Sequence, residues 1–172
     1  MVLDDTCCPN SIEPLPQNVC SPKRKRQRDP EVAIRKWIPL TYKPKIPGVL
    51  SGDISQTIRI DTDLLPMDRI AFHGWQGRPY RSPWSFRTPY LDVTMAEEIF
   101  LFDDGIAYKG ADMGGFMPIG DPRLDTLARL DGIQPATGAE LIRVLHEMHG
   151  PGTHPGKIIR WDPAPIKEAV HV

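Results

Sequence analysis

Apolar and polar positions alternate most clearly over residues 90–95, where Tyr90, Asp92 and Thr94 interleave with Leu91, Val93 and Met95. That two-residue period is the signature of a half-buried strand. Ile99 to Phe102 is continuously apolar and runs into the turn signal Asp103-Asp104-Gly105. Ile106-Ala107-Tyr108-Lys109 is then expected to pair back as a hairpin. The same reading predicts strands over 56–61, 68–74, 86–101 and 157–161. The period changes after Asp121-Pro122, a capping aspartate followed by a proline in the first helical turn. Leu124, Leu127, Ala128 and Ile133 follow at helical spacing, with Gly132 as the stop. Thr137-Gly138-Ala139-Glu140 has capping-box form and opens a second helix, whose buried stripe is Leu141, Val144, Leu145 and Met148. Upstream, Ile34, Trp37, Ile38 and Leu40 lead into Tyr42–Pro47, expected to be a first strand or extended segment. A short helix ending near Gly52 comes next.

Residues 1–35 have a different composition. Pro9, Pro14, Pro16, Pro22 and Pro30 interrupt any helix, and apolar residues are too sparse for a core. The expected organisation is a flexible N-terminal tail over 1–35, one domain over 36–163 and a short C-terminal tail over 164–172. The tail carries Lys23, Arg24, Lys25, Arg26 and Arg28, a basic run suited to contacting nucleic-acid phosphates or to serving as a nuclear address. Nineteen prolines, about twice average usage, signal many turns and a low helix fraction.

Charge and cysteine content narrow the function classes. The formal net charge is −1, so no global field draws the chain to nucleic acid or membrane. No apolar run approaches the ~20 residues of a membrane-spanning helix. The acidic start at Asp4-Asp5 does not fit a secretory leader. Cys7, Cys8 and Cys20 lie together in the tail with no histidine beside them, and they read as reduced thiols in a cytoplasmic protein rather than a zinc site. His146 and His149, three apart on the second helix, have no acid or cysteine to complete a metal set. No metal or cofactor is expected.

Two stretches carry candidate chemistry. Thr57 and Arg59 are two apart on a predicted strand and so share one face, with Ile58 and Ile60 on the other. A hydroxyl and a guanidinium opposite an apolar face suit a strand that offers its polar side to a ligand, with Arg59 clamping an anion or a base edge. The second stretch, His73 to Tyr90, concentrates Trp75, Tyr80, Trp84, Phe86 and Tyr90 with Arg78, Arg81 and Arg87. Aromatics stack on bases and guanidiniums pair with phosphates, which is the composition of a single-strand nucleic-acid platform; packing among the aromatics alone is the competing account. The glycine cluster from Gly110 to Gly120, with Met113, Phe116 and Met117, is expected to form a mobile rim of the ligand cleft.

Gly52-x-x-x-x-Thr57-x-Arg59 after an apolar helix, followed by Asp68-Arg69-Ile70-Ala71-Phe72, resembles the ASCH (activating-signal-cointegrator homology) domain of the PUA-like superfamily. Leu127–Ile133, Glu140–His146 and Lys157–Trp161 resemble that family's helix end, second helix and closing strand, in the same order. The resemblance implies an α+β fold, a small bent β-barrel of five or six strands with two packed helices. It also implies a cleft lined by Gly52, Thr57 and Arg59, with Trp75, Tyr80, Arg78, Arg81 and Arg87 close by.

The chain departs from the family signature where the lysine falls on Ile54. Small members resembling amidohydrolases of acetylated cytidine use a Lys, a Thr and a Glu. Here Thr57 matches, the lysine does not, and the glutamate falls near Gln134, with Asp131 close by. An isoleucine cannot activate a hydroxyl, so a substitute amine, Lys45 or Lys109, would have to reach the cleft. The expectation is non-catalytic binding of RNA or a modified nucleotide with no catalytic residue. The alternatives are a nucleoside amidohydrolase and a scaffold in a larger assembly.

Overall fold

The computed structural model describes residues 32–78, 81–109 and 115–166. The basic run Lys23–Arg28, the three cysteines, Tyr80, the segment 110–114 and most of the expected C-terminal tail lie outside the described residues.

Strand β1 (Arg35–Pro39) is followed by a 3-10 turn (Lys43–Lys45) and helix α1 (Ile46–Ser51). Then come β2 (Gln56–Ile60), β3 (Arg69–Trp75), β4 (Trp84–Arg87), β5 (Leu91–Phe102), β6 (Gly105–Tyr108) and β7 (Phe116–Pro118). Helices α2 (Pro122–Leu130) and α3 (Gly138–His149) precede the last strand, β8 (His154–Trp161). The chain is mixed α+β. Its eight strands form one open sheet in which β1, β3, β5, β6 and β7 are successive neighbours; β8 pairs with both β5 and β2, and β4 pairs with β3. Among the described residues only β1 and β3 run parallel; the other pairings are antiparallel.

The long strand β5 organises the sheet. Leu91 and Asp92 pair with β3, and after a register shift between Val93 and Met95 the rest pairs with β8 and β6. Such an irregularity bends the strand, so one strand serves two cores. On one side Ile58, Ile99, Leu101, Ile106, Met117 and Ile158 meet the apolar stripes of α2 and α3. On the other, Ile38, Leu40, Val49, Ile70, Phe72, Leu91 and Trp161 form a second core.

The predicted cap at Asp121 forms, and the expected capping box forms in half, since the Thr137 N–H donates to the Pro135 carbonyl and the Glu140 carboxylate pairs with Arg143. Asp121 Oδ1 accepts from the Arg123 N–H at 2.8 Å, and Thr137 Oγ1 accepts from the Glu140 N–H at 3.2 Å. Gly52 closes α1 and Gly132 follows α2, with φ of 77° and 72°, the left-handed region that glycine enters without steric cost.

Three expectations are corrected. Tyr42–Pro47 is not a strand: Pro44 and Pro47 fall in the first turns of the 3-10 turn and α1, where a missing N–H costs nothing, and the first strand lies upstream. The single strand expected over 86–101 is two, parted at Thr88-Pro89-Tyr90. There Thr88 Oγ1 takes the Phe72 N–H at 2.8 Å in place of a ladder partner. The expected mobile rim includes β7, which pairs with β6 and buries Met117 under α2 and α3. Among the described residues, no helix is long and apolar enough to cross a membrane.

Candidate functional site

Among the described residues strand β2 pairs only with β8, so its other edge has no backbone partner among the described strands, and the site is built on that edge. The Ile58 N–H points away from β8 and donates to Asp131 Oδ1 at 2.8 Å. Asp131 is placed by the end of α2, where its own N–H donates to the Leu127 carbonyl at 2.9 Å. Lys45, at the end of the 3-10 turn, brings its Nζ to 2.9 Å from the same Asp131 oxygen. Both side chains are buried, with residue exposures of 3% for Lys45 and 5% for Asp131. Lys45 Nζ is close to the carboxylate but not aligned as a hydrogen-bond donor to it, so the attraction is chiefly Coulombic.

Around this pair lies a cleft of about 370 Å³, within the ordinary range for small-molecule sites. Its walls are Leu40, Ile133, Val144, Leu145 and Met148, its polar end is Lys45, Thr57, Arg59 and Asp131, and His149 stands on its border. Thr57 is buried, and its hydroxyl makes one long contact, 3.4 Å, to the Ile58 carbonyl. Arg59 donates from Nη2 to the Pro39 carbonyl at 3.0 Å, bridging from β2 to β1, while its buried Nε has no protein acceptor. A second hollow of about 430 Å³ beside Gln56, Arg129 and Arg160 has comparable volume. It holds no buried ion pair, and buried groups with displaced pKa values are what mark functional clefts.

The electrostatics follow from burial. Desolvation lowers the Lys45 pKa below its ordinary value, against the attraction of Asp131, and the nearby Arg59 guanidinium lowers it further. Desolvation raises the Asp131 carboxyl, against Lys45, the Ile58 N–H and Arg59. The Arg59 guanidinium is lowered to about 10, first by burial, with Asp131 opposing. His149 is lowered by burial and then by His154 and Arg59, with Asp61 opposing, which favours its neutral form. The cleft thus offers an amine, two nitrogen donors on a guanidinium, a hydroxyl and a carboxylate in a largely apolar enclosure.

Thr57 and Arg59 come together in the cleft as expected; Gly52 does not line it and serves to end α1. Ile54 occupies packing space rather than the cleft: its Cδ1 lies where a Cβ on Gly48 or Gly132 would sit, 2.4 and 2.3 Å away. Lys109 is held by Glu98 on the neighbouring strand, so of the two candidate amines only Lys45 reaches in. Arg78 and Arg81 are exposed on the β3–β4 loop. Trp75 and Arg87 belong to a separate aromatic cluster with Trp37, His73 and Trp84. Sequence reading assigns Lys45 and Asp131 only conditional roles and misses Trp37 as a member of any site. A lysine inside a proline-bounded apolar turn and an aspartate just before a helix-ending glycine are the available signals. No group of acids, histidines and cysteines suited to a metal ion occurs among the described residues. Compared with protein-family models, with characterised proteins and with solved structures, the chain matches none of them.

Proposed function

We propose that the cleft binds a nucleotide-like ligand, an RNA or a modified nucleobase, without covalent chemistry. The observation that carries this reading is the buried Arg59 Nε, which has no protein acceptor, beside the buried Lys45–Asp131 ion pair at the polar end of an apolar cleft. Buried donors are ordinarily satisfied, so a ligand with carbonyl or phosphate oxygens at one end and a flat apolar body fits the enclosure. Leu40, Val144 and Met148 would cover its faces while Arg59 and Lys45 meet its oxygens. The ASCH resemblance points the same way. In this reading the run β1-β3-β5-β8-β2, its ends linked by Arg59, is a bent PUA-like barrel, and the basic tail adds sequence-independent affinity from a cytoplasmic or nuclear location.

Calorimetric titration with a panel of nucleosides, modified nucleosides and short RNAs tests the reading. Arg59→Ala removes a charged donor, and the expected loss is about 1.5–3 kcal/mol, ten-fold or more in Kd. Failure of every panel member to bind, or unchanged affinity in Arg59→Ala, would sink it.

A second reading, hydrolysis of an acylated nucleoside, is favoured by one observation: Lys45 brings an amine into the cleft that holds Thr57 and Asp131. Thr57 Oγ would attack the amide carbonyl carbon, with a neutral Lys45 amine taking the hydroxyl proton and returning it to the departing nitrogen. Water would then cleave the resulting ester. Acetate release from acetylated cytidine, abolished by Thr57→Ala, would select this reading over simple binding.

A further inference from the structure

Three of the chain's four tryptophans gather on the solvent side of the β1–β3–β4 sheet, outside the cleft. Trp37 of β1, His73 and Trp75 of β3, and Trp84 and Arg87 of β4 share this face, while Ile38, Ile70, Phe72 and Phe86 pack into the core on the other. An irregularity in β4 produces the grouping. His73 pairs with Arg87 and Gly74 with Phe86, but Trp75 pairs with Trp84, so Ser85 is an extra residue. The bulge turns Trp84 to the same face as Arg87, and re-aiming a side chain is what bulges near binding sites do.

The Arg87 guanidinium carbon lies 3.7 Å from the Trp84 ring centre and 4.3 Å from that of Trp37. Its residue is exposed, and it makes no salt bridge to an acid among the described residues. The indoles of Trp37 and Trp84 are 5.3 Å apart, and His73 stacks on Trp84 at 4.9 Å and 20°. Arg35 and Arg69 lie over the Tyr90 ring at 5.7 and 5.9 Å, with Asp92 paired to Arg69. The face is therefore aromatic, cationic and half-exposed. A hollow of about 170 Å³ between β1 and β2 is bordered by Trp37 of this face and by Arg59, which also lines the cleft.

We infer that this face is a stacking platform for single-stranded nucleic acid, continuous through Arg59 with the cleft. It extends the nucleotide reading of the cleft and in that sense rests on it. The Arg87 guanidinium, held against both indoles, is exposed, and bases stack on guanidinium planes as they do on aromatic rings. A base on Arg87 leaves its phosphates near Arg35 and Arg69, and the strand runs past Arg59 to deliver a neighbouring base to the cleft. An acidic protein surface would use the charges but has no use for the cluster of indoles beneath them, which decides the occupant.

The test separates plane from charge. Full-length chain is titrated against a labelled single-stranded uridine homopolymer, its thymidine counterpart and an RNA duplex, with tryptophan emission recorded alongside. Arg87→Lys keeps the charge and loses the plane; Trp84→Leu removes the support, and its folding is checked by thermal melting. The expected result is a loss of about ten-fold in single-strand affinity in Arg87→Lys, with unchanged salt dependence, quenched emission in the wild type and weaker duplex binding. Unchanged single-strand affinity in Arg87→Lys, equal affinity for the duplex, or no binding by the wild type would overturn the platform. A loss in Arg87→Lys with no effect of Arg59→Ala leaves the platform standing and removes the cleft; the reverse pattern removes the platform alone.

Discussion

Asp131 holds two partners with one oxygen, the Ile58 N–H and the Lys45 ammonium. Deleting one member of a buried pair strands the other, so Lys45→Met is expected to cost about 3–5 kcal/mol. The double change Lys45→Met with Asp131→Asn keeps the edge N–H paired and leaves the net charge of the Lys45–Asp131–Arg59 cluster unchanged, so urea unfolding should show part of that loss recovered. The pair also sets a pH dependence. Burial lowers the Lys45 pKa below its ordinary 10.5, so its ammonium is lost as pH rises through that lowered value. Affinity for an acceptor-bearing ligand should therefore fall as pH rises, with a midpoint below 10.5. The double variant should lack that inflection. Thr57 and Arg59 were legible because they sit two apart on one strand. Lys45 and Asp131 lie on different elements far apart in sequence, and nothing local records that the fold makes them neighbours.

Elements with local chemistry at their ends were the readable ones. Helices α2 and α3 announce themselves through Asp121, Thr137 and Gly132, each a capping or stopping residue that acts within a few positions of itself. Strands β4 and β7, with four and three residues, are too short to show a period and exist because a neighbouring strand offers hydrogen bonds. Strand β1 was hidden for a different reason: Trp37 points outward, so the pattern reads apolar on both faces. Gly132 links an element boundary to the site. Its φ is 72°, and an added Cβ would meet Ile54 Cδ1 at 2.3 Å. Gly132→Ala is expected to cost about 2–4 kcal/mol through backbone strain and overpacking, measured by chemical denaturation. It should also weaken cleft binding, because Asp131 is the preceding residue.

At the scale of the whole molecule, a bent β5 lets one open sheet serve two cores, and the cleft lies at the free edge of β2 where elements from both cores meet. The basic tail is a separable contribution. If Lys23, Arg24, Lys25, Arg26 and Arg28 each neutralise a phosphate, replacing all five by Ala should flatten the slope of log affinity against log salt for single strands by about 3.5. Cleft dependence on Arg59 should survive. The captured Ile58 N–H has a consequence for self-association. Strand edges with unpaired backbone donors recruit further strands, and proteins blunt them with inward-pointing charges. Asp131 is such a charge, so the oxygen that shapes the ligand cleft also guards this edge against intermolecular β-pairing. Substitutions that retune recognition at Asp131 are thereby constrained by solubility, and a bound ligand covering the edge would act as a chaperone for it.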